Sequence, residues 1–161
     1  MGKINYGRVI RGGIVGGIVA GTLDCFFNGV LLGQQWVDAM KALNHPNAFT
    51  GSAFLIVLFL SFILGFILTV WMYAAIRPRF GAGVRTAVYV GLIAWAFARF
   101  LPNLGNVIIG GFFPRRLVVY STLLEIVEFV VGAIVGAALY REAESTSVDY
   151  PVAVEARQTM R

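Results

Sequence analysis

The sequence predicts an all-α fold: an integral membrane four-helix bundle with a short interfacial helix and a partly apolar second outer loop. Composition is the first reason. Of 161 residues, 58% are hydrophobic and only 13% charged, with a mean hydropathy of +0.79, too few polar groups to clothe a water-soluble domain. Pattern is the second. The apolar residues fall in long runs at 11–32, 53–76, 86–101 and 117–140, close to the roughly 20 residues that carry a helix across about 30 Å of hydrocarbon. These runs are continuous and do not alternate polar with apolar, which favours helices over barrel strands. They make one transmembrane domain, 1–140, followed by a polar tail, 141–161.

The first span carries Gly13, Gly17 and Gly21 four residues apart, and Asp24 and Asn28 continue the Gly21 face at i+3 and i+7. In lipid, such small residues let a partner backbone approach closely. The run is too long for a signal-peptide core and contains Asp24, so a cleaved leader is not expected. The lone Cys25 cannot form an intramolecular disulfide and is read as a packing residue.

Between the first two spans, Trp36, Val37, Met40 and Leu43 recur at helical spacing opposite Asp38 and Lys41, the pattern of a short helix lying at the interface. The only histidine, His45, lies in the loop beyond it without partners for a metal set. The second span is free of charge, with Ser61, Gly65, Thr69 and Tyr73 forming a stripe at four-residue spacing. In the third, Arg99 interrupts an apolar run and is followed by Asn103 and Asn106. Pro102 lacks a backbone donor, so the helix is expected to kink or end there. The apolar NVIIGGFF segment beyond it then reads as re-entrant or interfacial. The fourth span places Ser121, Glu125, Glu128, Gly132 and Gly136 on one face. An antiparallel crossing near Gly13, Gly17, Gly132 and Gly136 is therefore predicted.

Depth joins the ionisable residues. Counted at about 1.5 Å per residue from the nearest basic anchor, Asp24 lies about 20 Å up, Arg99 about 21 Å, and Glu128 and Glu125 about 20 and 24 Å. Charges within hydrocarbon are costly and face the bundle interior or a water-filled cavity. The predicted site is thus an intramembrane polar cluster of Asp24, Asn28, Arg99, Asn103, Ser121, Glu125 and Glu128. Three carboxylates against one guanidinium leave a surplus of two negative charges, which protonation, hydration or a bound cation must offset.

Seven Lys and Arg residues (3, 8, 11, 77, 79, 85 and 141) fall on one side of the spans and three (41, 115 and 116) on the other. Positive-inside counting puts both termini in the cytoplasm. The net charge of +5 arises mainly from these loops, so nucleic acid is not an expected partner.

The segment Phe26–Met40, FFNGVLLGQQWVDAM, resembles a bacterial family catalogued as domain of unknown function 1761. Phe26 and Phe27 match its aromatic pair, and Gly33, Trp36 and Met40 match its Gly-x-x-Trp-x-x-x-Met or Leu pattern. Gln34 and Asn28-Gly29 depart from the Lys and Ser-Pro common there. The resemblance implies a small four-helix protein of the bacterial inner membrane and carries over no catalytic residue.

No arrangement of nucleophile, base and metal ligands is present, so an enzyme is not expected, and the sequence assigns no cofactor. The expected partners are the lipid bilayer and either further copies of the chain or a larger membrane complex. The leading expectation is a structural or accessory subunit whose Arg–carboxylate pairing fixes helix contacts. The alternative is a small transporter or channel that moves protons or a small cation through the cluster.

Overall fold

The structure, a computed structural model, describes residues 4–141; the tail expected at 141–161 lies outside the described residues beyond Arg141. Among the described residues the fold is all-α. Its helices are α1 (Tyr6–Asp24), α2 (Gly33–Ala42), α3 (Ser52–Phe80), α4 (Val84–Trp95), α5 (Leu101–Gly105) and α6 (Arg115–Ala138). Three π-helical segments, Cys25–Leu31, Ala96–Phe100 and Asn106–Gly110, extend α1 and join α4 to α5 and beyond. Four continuous helices result that are long and apolar enough to cross a membrane: Tyr6–Leu31, Ser52–Phe80, Val84–Gly110 and Arg115–Ala138. The chain is a multi-pass, membrane-embedded four-helix bundle.

The third span differs from expectation. It neither ends at Leu101 nor turns back as a re-entrant loop, but runs as helix to Gly110. Pro102 has no N–H to offer the carbonyl four residues before it, and its ring crowds that carbonyl. The chain answers by widening: Ala96–Phe100 winds as a π-helix, with the Leu101 N–H bonded to the Ala96 carbonyl. The helix stops only at Gly111, whose φ of +58° suits a residue without a Cβ. Ile108 and Ile109 near this end are exposed, Ile109 at 88%, as befits a surface turned to lipid or its interface.

The glycines also sort differently from the prediction. Gly13 and Gly17 do not meet α6; a Cβ on Gly17 would stand 2.6 Å from the Ile63 Cα of α3, and Gly13 lies equally close to Ile67. Gly21 faces Phe59 and Phe62 of the same helix. The residues that meet α6 are one position earlier. A Cβ on Gly12 would lie 2.5 Å from the Gly136 carbonyl oxygen, and one on Gly16 2.6 Å from that of Gly132. Two stripes of period four, set about 100° apart, give α1 a close contact on each side. Gly91 brings α4 against α6 in the same way: a Cβ there would lie 2.9 Å from the Phe129 carbonyl oxygen.

This half of the bundle is closed. Val9, Val70, Tyr73, Ala74, Ala87, Val90, Ala137 and Tyr140 form one buried cluster from α1, α3, α4, α6 and the residues just after α6. It gathers both ends of the described chain and the 77–85 turn at one end of the molecule: the Asn5 N–H donates to the Tyr140 hydroxyl, and the Gly83 N–H to that of Tyr73. At the other end α2 lies across the bundle as the short helix expected there. Its buried Ala39 joins Leu32 and Leu117, with Trp36 and Phe113 packed against them. His45 stands exposed in the turn beyond.

Candidate functional site

Asp24 ends the α-helical part of α1 and belongs to the stripe Gly12, Gly16, Ala20, Asp24 that faces α6. The π-helical turns that follow change the angular step per residue, and Asn28 emerges on the same side as Asp24. Its amide Nδ2 donates to Asp24 Oδ1 at 3.0 Å. Its Oδ1 accepts from Ser121 Oγ of α6 at 2.7 Å and from Trp36 Nε1 of α2 at 3.1 Å. One amide thus ties together α1, α2 and α6.

On α6, Ser121, Glu125 and Glu128 are all buried. Ser121 Oγ also lies 3.4 Å from Glu125 Oε1. Arg99, projecting from the π-helical segment of the third span, places Nε 3.7 Å from the same oxygen, an ion pair without hydrogen-bond geometry. The guanidinium carbon lies 5.4 Å from the centre of the Phe62 ring, within cation–π reach. Asn103 donates to Thr122 Oγ1 at 2.7 Å, and Trp95 Nε1 to the Thr122 carbonyl at 2.9 Å. The seven side chains read from the sequence therefore share one region, joined by Trp36, Thr122 and Asn106.

The network is incomplete. Glu128 is 0% exposed, yet among the described residues neither of its carboxylate oxygens has a hydrogen-bond partner. Glu125 Oε2, Arg99 Nε and Asn106 Oδ1 are likewise buried without one. Asp24, Glu125 and Glu128 lie within electrostatic range of one another and of the single Arg99. The three acidic groups set against one guanidinium in the sequence are thus gathered in a small interior volume.

Above the cluster opens a cavity of about 530 Å³. Asp24, Arg99 and Glu125 line its floor, Asn28, Asn103, Asn106 and Ser121 its flanks, and Trp36, Phe49, Phe54 and Phe113 its apolar walls beneath α2. Glu128 does not line it and sits deeper along α6. Among the described residues, no three His, Cys, Asp or Glu side chains converge to hold a metal ion.

The aromatic walls escaped the sequence reading, which took Trp36 as an interfacial anchor. Its indole, eight residues from Asn28, is brought back by the bend at Leu32 between the π-helical turns and α2. Thr122 carries no signal of its own beyond its place beside Ser121. A scan against protein-family models, a search of curated proteins and a search of solved structures each return no match to this chain.

Proposed function

We propose that this chain is a small membrane carrier or channel whose Asp24, Arg99, Glu125 and Glu128 cluster binds a positively charged solute entering from one side. The observation that carries the reading is the buried acid left without partners. A polar network kept only to fix helix contacts is expected to be satisfied, because each unmet buried group costs stability. Among the described residues, one oxygen of Glu125, on the cavity, lacks a hydrogen-bond partner, and both oxygens of Glu128 are unmet just below it. A guest cation in the cavity meets Glu125 directly and Glu128 through its field alone, and the cavity supplies its room and its route. Acid–base or nucleophilic chemistry is not part of this reading, since the site presents neither an activated nucleophile nor a base held by an orienting partner.

The accessory-subunit reading draws on another feature. Ser61 and Gly65 of α3 are exposed in a groove between α3 and the third span, and nothing lies within 4 Å of a Cβ built on Gly65. Small residues in such a place suit a helix of another copy or another subunit. Either reading belongs to a bacterial inner membrane with both termini cytoplasmic, on the charge bias and the resemblance of Phe26–Met40.

Reconstitution in liposomes separates the two. Proton, rubidium and organic ammonium fluxes are measured for the wild type, Glu125→Gln and Arg99→Gln. A carrier shows flux of at least one cation that falls about tenfold or more in the variants while they remain monodisperse. Absence of any wild-type cation flux, with a second protein recovered in fixed stoichiometry from native membrane, replaces the carrier by the accessory subunit.

A further inference from the structure

We infer that the solute held in this cavity is an amphipathic organic cation, a primary ammonium group on an aromatic or aliphatic body. The inference rests on the reading of the cluster as a cation site and specifies its guest. Size is the first argument. About 530 Å³ falls within the roughly 300–1,000 Å³ of pockets that enclose drug-sized molecules. A proton or alkali ion leaves such a space empty of contacts, and its apolar walls gain nothing from the occupant.

The walls are the second. Trp36 meets Phe113 edge-on at 5.3 Å between ring centres and Phe49 at 5.8 Å, and Phe49 in turn packs against Phe54 at 5.4 Å. These rings lie toward the α2 end of the cavity, whereas Asp24 and Glu125 lie farther along α1 and α6 toward the closed end. An apolar body fits the upper part and a charged head the lower, and the ring faces attract a cation on its way in.

The unmet polar atoms are the third argument, and they choose the head group. Glu125 is 4% exposed, and its Oε2, on a side chain lining the cavity, has no partner. Asn106 Oδ1 is buried and unpaired on the same cavity. Both are acceptors. On this cavity the donor without a hydrogen bond, Arg99 Nε, already faces Glu125 Oε1. A primary ammonium brings three N–H donors and one positive charge to these two acceptor side chains and the acids gathered beside them. A quaternary ammonium brings charge alone. A metal ion requires converging ligands, and no three acidic, histidine or cysteine side chains are so placed among the described residues.

The test is equilibrium dialysis of the purified full chain in detergent against naphthylethylamine, with the neutral naphthylethanol as isostere and empty micelles to subtract partitioning. The amine should bind at least tenfold more tightly than the alcohol. Trp36→Ala should weaken it about tenfold, and Trp36→Phe should restore most of the loss. Glu125→Gln should reduce the preference for amine over alcohol. If Glu125→Gln does not fold, the wild-type comparison of amine with alcohol and the Trp36 pair still decide. Equal binding of amine and alcohol overturns the inference, because only an apolar pocket is then present. Glu125-dependent proton or rubidium flux without amine binding overturns it too, while leaving the cation site intact. If no cation binds or moves, both readings fall together.

Discussion

Glu128 is the residue whose behaviour most sharply distinguishes a binding site from a brace. It is fully buried and has no hydrogen-bond partner for either oxygen. An acid that held the bundle together would destabilise it on removal. An acid kept for its field on a guest is a burden to the empty protein, so Glu128→Met, which preserves volume, should raise stability by about 1–3 kcal/mol and, because Glu128 lies below the cavity, weaken cation binding less than Glu125→Gln does. Unfolding of the detergent-solubilised protein by a denaturing detergent measures the first effect, and dialysis the second. A loss of stability in Glu128→Met would show the acid to be structural. Residues of this kind were legible from sequence, since a charge within an apolar run has few permitted surroundings. The three hydrogen bonds of Asn28 were not. They depend on where the π-helical turns point the amide and on a tryptophan carried back by α2, neither of which leaves a periodic trace.

Among the elements, α1 makes the closest contacts with its neighbours, and glycine permits both. The existence of a glycine-mediated crossing could be read from the four-residue spacing, but not which stripe met which helix. Gly12 and Gly16 on one side and Gly13 and Gly17 on the other are offset by one residue, so periodicity alone fits either partner. Asp24 breaks the tie in hindsight: it lies four residues from Ala20 and eight from Gly16, on the stripe that meets α6 and its acids. The consequence can be tested by contrast. Gly16→Leu forces a side chain into the Gly132 carbonyl and should cost about 1–3 kcal/mol or more as the helices part. A Cβ on Gly65 meets nothing within 4 Å, so Gly65→Ala should stay within about 0.5 kcal/mol of the wild type. The same denaturing-detergent titration reads both. Equal losses would mean that Gly65 is covered in the protein as it exists, which would favour a partner helix in the α3 groove. The extension of the third span was hidden for a related reason. Proline is a sound stop signal in water, but within a span a wider helical turn can absorb the missing donor.

At the scale of the whole molecule the two ends are unlike. The end that gathers the described termini and the 77–85 turn is packed shut around Val70, Tyr73 and Val90, whereas the opposite half holds the cavity under α2. The large side chains of α3 and the third span that face outward, Leu64, Leu68 and Phe97 among them, are exposed, an arrangement suited to lipid and not to water. This asymmetry suits a cavity that opens at the α2 end, as the proposed carrier needs in one of its states. The single Cys25 is a built-in reporter of it, because it lines the cavity and is half-buried there. In sealed right-side-out and inside-out vesicles, a membrane-impermeant cationic thiol reagent should modify Cys25 only from the side opposite the Arg77–Arg85 turn. Bound naphthylethylamine should slow the reaction several-fold, and naphthylethanol should not. Mass spectrometry of the intact chain counts the label without any engineered cysteine. Modification from the arginine-rich side would place the opening at the wrong end of the bundle. Equal modification from both sides would mean that the dry packing between α1, α3, α4 and α6 opens readily, and the picture of a one-sided chamber would have to give way to that of a pore.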